Sequence, residues 1–229
     1  MNSPKNGFSR REMLGTAGAA LGGIFIAHPI RSLFAQGAKR ELTPEQIMGP
    51  FFPIIRPLDH DMDLTVIKGK RGHAQGKLIH LTGRVLNSNG DPVRGAKIEI
   101  WQANAHGRYD HPSDINPAPL DPNFQGYALQ ITDAEGRYRF KTIKPGAYPI
   151  NPVNPTNVRP PHIHFDVTGT KGRLVTQMYF PDEPLNEKDF LFKELGSSKD
   201  AAIGKVLPLT KELEPDSLLM SWDIVLEKG

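Results

Sequence analysis

Arg159-Pro160-Pro161-His162-Ile163-His164-Phe165-Asp166-Val167-Thr168 is the stretch that decides the fold. Side chains alternate across a β-strand, so Ile163, Phe165 and Val167 share one face and His162 and His164 the other. The apolar face enters a core. The histidine face then lies outside that core, open to whatever loops fold over it. Two imidazoles two residues apart on one strand face can reach a single metal, although a polar strand surface has the same pattern.

Working outward, a second strand is expected at Arg173–Phe180, joined through Gly169-Thr170-Lys171-Gly172. Upstream, Ile79–Leu86 and Ala96–Gln102 alternate around the turn residues Asn87–Pro92. Tyr127–Thr132 and Arg137–Lys141 flank Asp133-Ala134-Glu135-Gly136 and read as a hairpin. A short helix is expected within Pro184–Leu195 and a last strand over Leu218–Leu226. Many short strands with turns between them predict an all-β fold, an antiparallel β-sandwich with long active-site loops and one or two short helices. Those loops are Ala103–Gln125, which carries Tyr109, and Lys144–Pro161, which carries Tyr148. Connections this long are uncommon in compact domains and are usually functional.

Bulk composition agrees. The 22 glycines and 21 prolines among 229 residues favour turns over long helices. Cysteine is absent, which excludes disulfides, iron–sulfur clusters and thiolate zinc sites. The net charge of +3 resides in the first 38 residues, where Lys5, Arg10, Arg11 and Arg31 oppose Glu12 alone. The rest is balanced, so no basic patch points to nucleic acid. A small molecule is the expected partner.

Ser9-Arg10-Arg11-Glu12-Met13-Leu14 precedes a weakly apolar run from Gly15 to Ala27. Paired arginines before a short apolar region have the layout of a twin-arginine export signal, with delivery to the periplasm or the exterior. The expected division is therefore a signal segment at 1–37 and one domain at 38–229. Within that domain a proline-rich arm (38–78) precedes the sandwich (79–229). Phe51 and Phe52, between prolines, read as part of an arm packed against the body.

Two imidazoles with two phenolates form a hard, partly anionic donor set that suits ferric iron, Fe(III), better than zinc or copper. Each tyrosine alone is equally an aromatic at a loop base, and His106 and His111, flanking Tyr109, are alternative ligands. Arg159, three residues before His162, stands where a cation can meet an anionic substrate, and Gln177 is a polar residue of the neighbouring strand. His60, His73 and His80 read as surface histidines. No phosphate loop, no Gly-x-Ser-x-Gly elbow and no His-Glu-x-x-His is present.

An ordered set of stretches resembles the intradiol ring-cleavage dioxygenases. It runs through Gly49-Pro50-Phe51-Phe52-Pro53, Leu81-Thr82-Gly83-Arg84-Val85, Glu99-Ile100-Trp101-Gln102-Ala103-Asn104 and Gly107-Arg108-Tyr109. It continues with Leu120-Asp121-Pro122-Asn123-Phe124, Thr142-Ile143-Lys144-Pro145-Gly146-Ala147-Tyr148-Pro149, Arg159 to Phe165 and Thr176-Gln177-Met178-Tyr179-Phe180. The resemblance implies Fe(III) held by Tyr109, Tyr148, His162 and His164, with Tyr148 and His164 axial. It implies catalytic roles for Arg159, Gln177 and Tyr148, with Tyr148 leaving the metal as substrate binds. The implied reaction opens a catechol-type ring between its two hydroxyls with O2, giving a muconate-type diacid. A protocatechuate-like substrate is favoured, as is a homo-oligomer or a hetero-oligomer with a related subunit.

Two features depart from the family's pattern. Ile150 stands where members with a partner subunit often carry tryptophan, which alters one pocket wall, and the helical N-terminal region of the catechol-type members is missing. The competing expectation is a transthyretin-like or carboxypeptidase-regulatory-like binding module without catalysis. Such a module needs neither His162, His164 nor Tyr109.

Overall fold

Strand β1 (Leu78–Asn87) shows how the pattern becomes a sheet: Ile79, Leu81 and Val85 are buried on one face while His80 and Arg84 reach outward. The computed structural model describes residues 39–57 and 61–229, so the expected export segment and His60 lie outside the described residues. After β1 come β2 (Lys97–Trp101), β3 (Tyr127–Ile131), β4 (Arg137–Ile143) and the two-residue strands β5 (Tyr148–Pro149) and β6 (Val158–Arg159). Then follow β7 (His162–Thr168), β8 (Arg173–Tyr179), β9 (Lys205–Leu207), β10 (Leu218–Ser221) and β11 (Ile224–Leu226). The expected helix is a 3-10 turn at Asn186–Lys188 followed by α1 (Phe190–Glu194).

Two sheets face each other. One is ordered β3-β2-β7-β8 and is antiparallel throughout; in the other β1 pairs with β4, β10 and β11. Between them lie Ile79, Leu81, Phe140, Met220 and Ile224 from one sheet and Ile98, Ile100, Ile163, Phe165 and Met178 from the other. Each such burial contributes about 1.5–3 kcal/mol. The stability of the sandwich therefore rests on the faces opposite to the histidines.

The all-β sandwich is as expected, and three local expectations change. Strands β10 and β11 run parallel to β1, pairing with Ile79–Thr82 and Val85–Asn87 in turn. They return from β8 through a long connection, which frees the strand direction that a tight turn would fix as antiparallel. The last strand is accordingly two, broken at Trp222, whose N–H donates to the Thr82 carbonyl and whose own carbonyl accepts from Tyr138. The expected hairpin at Asp133–Gly136 does not form: β3 pairs with β2 and β4 with β1. Its turn crosses between sheets, because Ala128 and the pair Tyr138 and Phe140 face one core from opposite sides.

Among its described residues the arm adds no strand ahead of β1. The Thr43 N–H donates to the Val225 carbonyl, Gln46 N–H to the Val175 carbonyl, and Thr176 Oγ1 to the Pro44 carbonyl. Its middle is clamped by Glu99. That fully buried carboxylate is bonded by Arg56 Nε (2.6 Å), by the Tyr127 hydroxyl (2.6 Å) and by Lys97. Burial alone pushes the Glu99 carboxyl up, but Lys97, Tyr127 and Arg56 together hold it at about 2, against an ordinary 4.5. A depressed carboxyl stabilises the fold above its unfolded pKa, and that contribution fades as pH falls from about 4.5 toward 2. Glu99→Gln should therefore lower the thermal midpoint at pH 7 and flatten its decline below pH 4.5. A midpoint series across pH on both proteins measures this; parallel declines would remove Glu99 as the titrating group.

Candidate active site

The ladder of the second sheet fixes the histidines. In register, His164 sits between Trp101 of β2 and Gln177 of β8, and His162 lies opposite Tyr179. Both imidazoles are buried, although their face lies outside the sandwich core, because the loops and arm roof them. Trp101 stacks on His164 at 4.7 Å between centroids and 8° between planes. Phe52 meets the Trp101 ring edge-on at 4.8 Å, and Phe51 stacks on Tyr109 at 4.6 Å. The two phenylalanines of the arm are thus the apolar cover of the cluster.

The tyrosines reach it from the two long loops. Tyr109 is anchored by its N–H donating to Asp114 Oδ2 at 2.7 Å, and its ring stands at 5.4 Å and 89° to that of Tyr148. Tyr148 pairs with Arg159 across the short β5–β6 ladder, which delivers the phenol and the guanidinium together. The Tyr109 hydroxyl lies 3.4 Å from His162 Nε2, and the Tyr148 ring 5.7 Å from the His162 ring. Arg159, buried, donates through Nη2 to Gln177 Oε1 at 2.7 Å and to the Tyr179 hydroxyl at 3.3 Å. Gln177 Nε2 in turn donates to the Ile47 carbonyl of the arm. All six residues singled out from sequence, Tyr109, Tyr148, Arg159, His162, His164 and Gln177, fall in one buried neighbourhood. His106 does not: its Nε2 bonds Gln75 at the surface, and His80 pairs with Glu214.

The donor atoms are poised for a cation. His162 Nδ1 lies 2.6 Å from the Pro160 carbonyl, which accepts only if Nδ1 carries the proton. His162 Nε2 is then a bare lone pair, and it faces His164 Nε2 at 3.2 Å. A single proton is the most that pair can share, while His164 Nδ1 is buried with no partner at all. Burial, then the charge of Arg159, pushes both imidazoles well below their ordinary pKa, so they are neutral and ready as ligands. Burial likewise pushes both phenols up, with Arg159 acting against it at Tyr148. A bound metal supplies the positive charge that would convert buried phenols to phenolates. Among the described residues no group of three or more His, Asp or Glu is placed to hold a metal, and a cation between the two imidazoles would have the Tyr109 and Tyr148 oxygens as its other available donors. The residues present fit ferric iron.

Ile150, 48% exposed, follows Tyr148 and lines an open cavity of about 520 Å³ with Val158, Leu185, Lys188, Asp189 and Phe190. Sequence reasoning missed Trp101, Tyr179 and Asp189 as neighbours of the site. Tyr179 left a signal, as the residue two beyond Gln177 on the expected strand Arg173–Phe180 and hence on the same face; Trp101 and Asp189 left none.

Aromatic side chains, two imidazoles and a buried arginine thus share one site on the histidine face of the second sheet, under a hydrophobic cover. The family described as Dioxygenase matches residues 47–228. Protocatechuate 3,4-dioxygenase beta chain of Burkholderia cepacia is 45% identical over 210 residues, covering 87% of this chain and 88% of that one. A hydroxyquinol 1,2-dioxygenase of Rhizobium sp. (strain MTP-10005) is 34% identical over 130 residues, 52% of this chain and 42% of that protein. Among solved structures, the dioxygenase domain of a dioxygenase–carbohydrate-binding fusion from Streptomyces sp. SirexAA-E superposes with a TM-score of 0.61. It shares 27% identity and covers 82% of this chain and all of that one. The chain belongs to the intradiol ring-cleavage dioxygenase family. It is an oxidoreductase, and the non-catalytic binding-module reading is set aside.

Proposed function

We propose that Tyr109, Tyr148, His162 and His164 hold ferric iron and that the enzyme cleaves a carboxylated catechol of the protocatechuate type. The observation that carries the metal reading is the pair of imidazole nitrogens facing each other at 3.2 Å beside two buried phenols. The substrate reading follows the higher identity, and the longer coverage, of the protocatechuate 3,4-dioxygenase beta chain. The beta-chain name of that relative also favours an oligomer, of this chain or with a related subunit.

When bound, ferric iron would act as a Lewis acid, polarising the substrate's catechol oxygens toward reaction with O2. The protein's own residues do the rest. Tyr148 Oη, as phenolate, accepts one hydroxyl proton from the arriving catechol. Its short strand, tied to β6 over two residues, gives it more freedom to move than the histidines on β7 have. Arg159 stabilises the negative charge that develops as the ring opens, and Gln177 Oε1 holds that guanidinium in place. Phe51, Phe52 and Trp101 keep water from the cluster. The sum is catechol plus O2 giving a diacid that contains both oxygen atoms, with no other reductant.

Full-length protein loaded with ferric salt is expected to turn wine-red from tyrosinate-to-iron charge transfer. In an oxygen electrode it should consume O2 fastest with protocatechuate, more slowly with catechol and hydroxyquinol. Protein still colourless after loading would end the iron reading. Protocatechuate as the poorest of the three would end the substrate reading.

A further inference from the structure

Asp189 stands at the N-cap of α1, where an aspartate ordinarily spends its carboxylate on its own helix. Here it makes no such capping bond. Its main chain is fully committed: the N–H donates to the Leu185 and Asn186 carbonyls and the carbonyl accepts from Lys193. The side chain turns inward instead, and the residue is only 2% exposed. Its Oδ1 lies 3.0 Å from Arg159 Nε, and its Oδ2 accepts from the Tyr179 hydroxyl at 3.3 Å. The Nε contact is an ion pair without a hydrogen bond, since neither Arg159 Nε nor Asp189 Oδ1 has a hydrogen-bond partner. This is the one ion pair that Arg159 makes among the described residues.

We propose that Asp189 is the positioning residue for Arg159: its buried carboxylate balances the guanidinium and fixes its Nε edge, so that the arginine stays beside Tyr148 and His162. This rests on the catalytic role given to Arg159 above. Three groups then define the guanidinium. Gln177 and Tyr179 take Nη2 by hydrogen bonds, and Asp189 takes the Nε side by charge alone. The pairing also changes what Arg159 is. Its charge is already compensated before substrate arrives, which makes it a directed donor for developing charge more than an attractor of any anion.

Asp189→Asn keeps the shape and removes the charge. In the iron-loaded, full-length enzyme it should lower kcat about ten- to a hundredfold, the range typical of outer-sphere partners, with KM changing much less. Asp189→Glu should recover part of that loss. A purely structural aspartate would cost the same in any background, so Asp189→Asn is also placed on Arg159→Met. There it should cost nothing further in residual kcat. A second cycle uses the thermal midpoint of the metal-free protein. Asp189→Asn should lower the midpoint when Arg159 is present and lower it less, or not at all, in the Arg159→Met background, where no charge is left to pair. Unchanged kcat in Asp189→Asn, or equal thermal losses in both backgrounds, would overturn the proposal. If the native protein neither colours with ferric salt nor consumes O2, the functional reading fails, while the thermal cycle still decides the pairing.

Discussion

His162→Ala should abolish ring cleavage while leaving the sandwich folded. The imidazole is on the face of β7 opposite Ile163 and Phe165, and its carbons are not part of the main apolar core. What it provides is a lone pair fixed by the Pro160 carbonyl and aimed at the shared centre. Lewis-acid polarisation by a bound metal is worth several kcal/mol. At about 1.4 kcal/mol per factor of ten, loss of the metal lowers turnover by about a thousandfold or more. The metal-free variant should meanwhile melt close to the metal-free native protein. In the native protein the two imidazole nitrogens face each other with at most one proton to share, so truncation removes a poorly satisfied polar contact as well as some packing. Iron content after dialysis, charge-transfer absorbance and thermal midpoint measure the three parts. A variant that retains iron and colour would remove His162 from the ligand set.

The separation of the histidine face from the folding core is already written in the sequence of β7. The strand at 162–168 was legible because its two faces differ in kind: three apolar residues alternate with histidines and an aspartate, and a one-residue slip would place the imidazoles in the core. The partnering of β3 and β4 was not legible. A four-residue turn is compatible with a hairpin or with a crossing between sheets, and the choice depends on cross-core packing of Ala128 against Tyr138 and Phe140. The parallel entry of β10 and β11 was equally hidden, since a long connection carries no record of strand direction.

The site divides the same way. His162 and His164 are two residues apart, and their convergence follows from strand geometry. Tyr109 lies in a loop and Tyr148 in a two-residue strand within the other long connection, where sequence shows mainly glycine and proline; their meeting depends on long-range contacts between the two connections. Asp189 gave no signal, because an aspartate before a short helix reads as a cap and its inward turn is a tertiary choice. Phe52 reads in sequence as part of an arm packed against the body, and in the fold it and Trp101 carry packing from that arm to the His164 ring.

The meeting of the two loops leads to the second large effect, in which Gly107→Ala should disturb both tyrosines at once. Gly107 has φ +77°, a left-handed conformation that costs a residue with a Cβ about 1–2 kcal/mol. Space is the sterner constraint. A Cβ on Gly107 would lie 2.2 Å from the Ala147 carbonyl oxygen, and one on Gly146 would lie 2.4 Å from the Gly107 nitrogen. The loops therefore touch backbone to backbone, one residue pair before each tyrosine. Both are tied to one acceptor, the Asn104 carbonyl, which takes the N–H of Gly107 at 3.0 Å and of Gly146 at 2.9 Å. Asn116 Nδ2 adds a bond to the Gly107 carbonyl at 2.8 Å. A methyl group wedged into this seam pushes first against the Ala147 main chain and then, at 3.2 Å, against the Tyr148 Cβ, and main chain held by several hydrogen bonds does not yield by bending a rotamer. Strained backbone of this kind costs about 1–3 kcal/mol by itself, so with the overlap a loss of about 3 kcal/mol or more is expected in denaturant unfolding. The functional signature is distinct from that of His162→Ala. Separating Tyr109 from Tyr148 should weaken and shift the charge-transfer band, because that band reports the phenolates themselves, whereas distant destabilising substitutions of similar size should leave it in place. Gly107→Ala protein with native colour and native unfolding midpoint would show that the two loops do not depend on this contact.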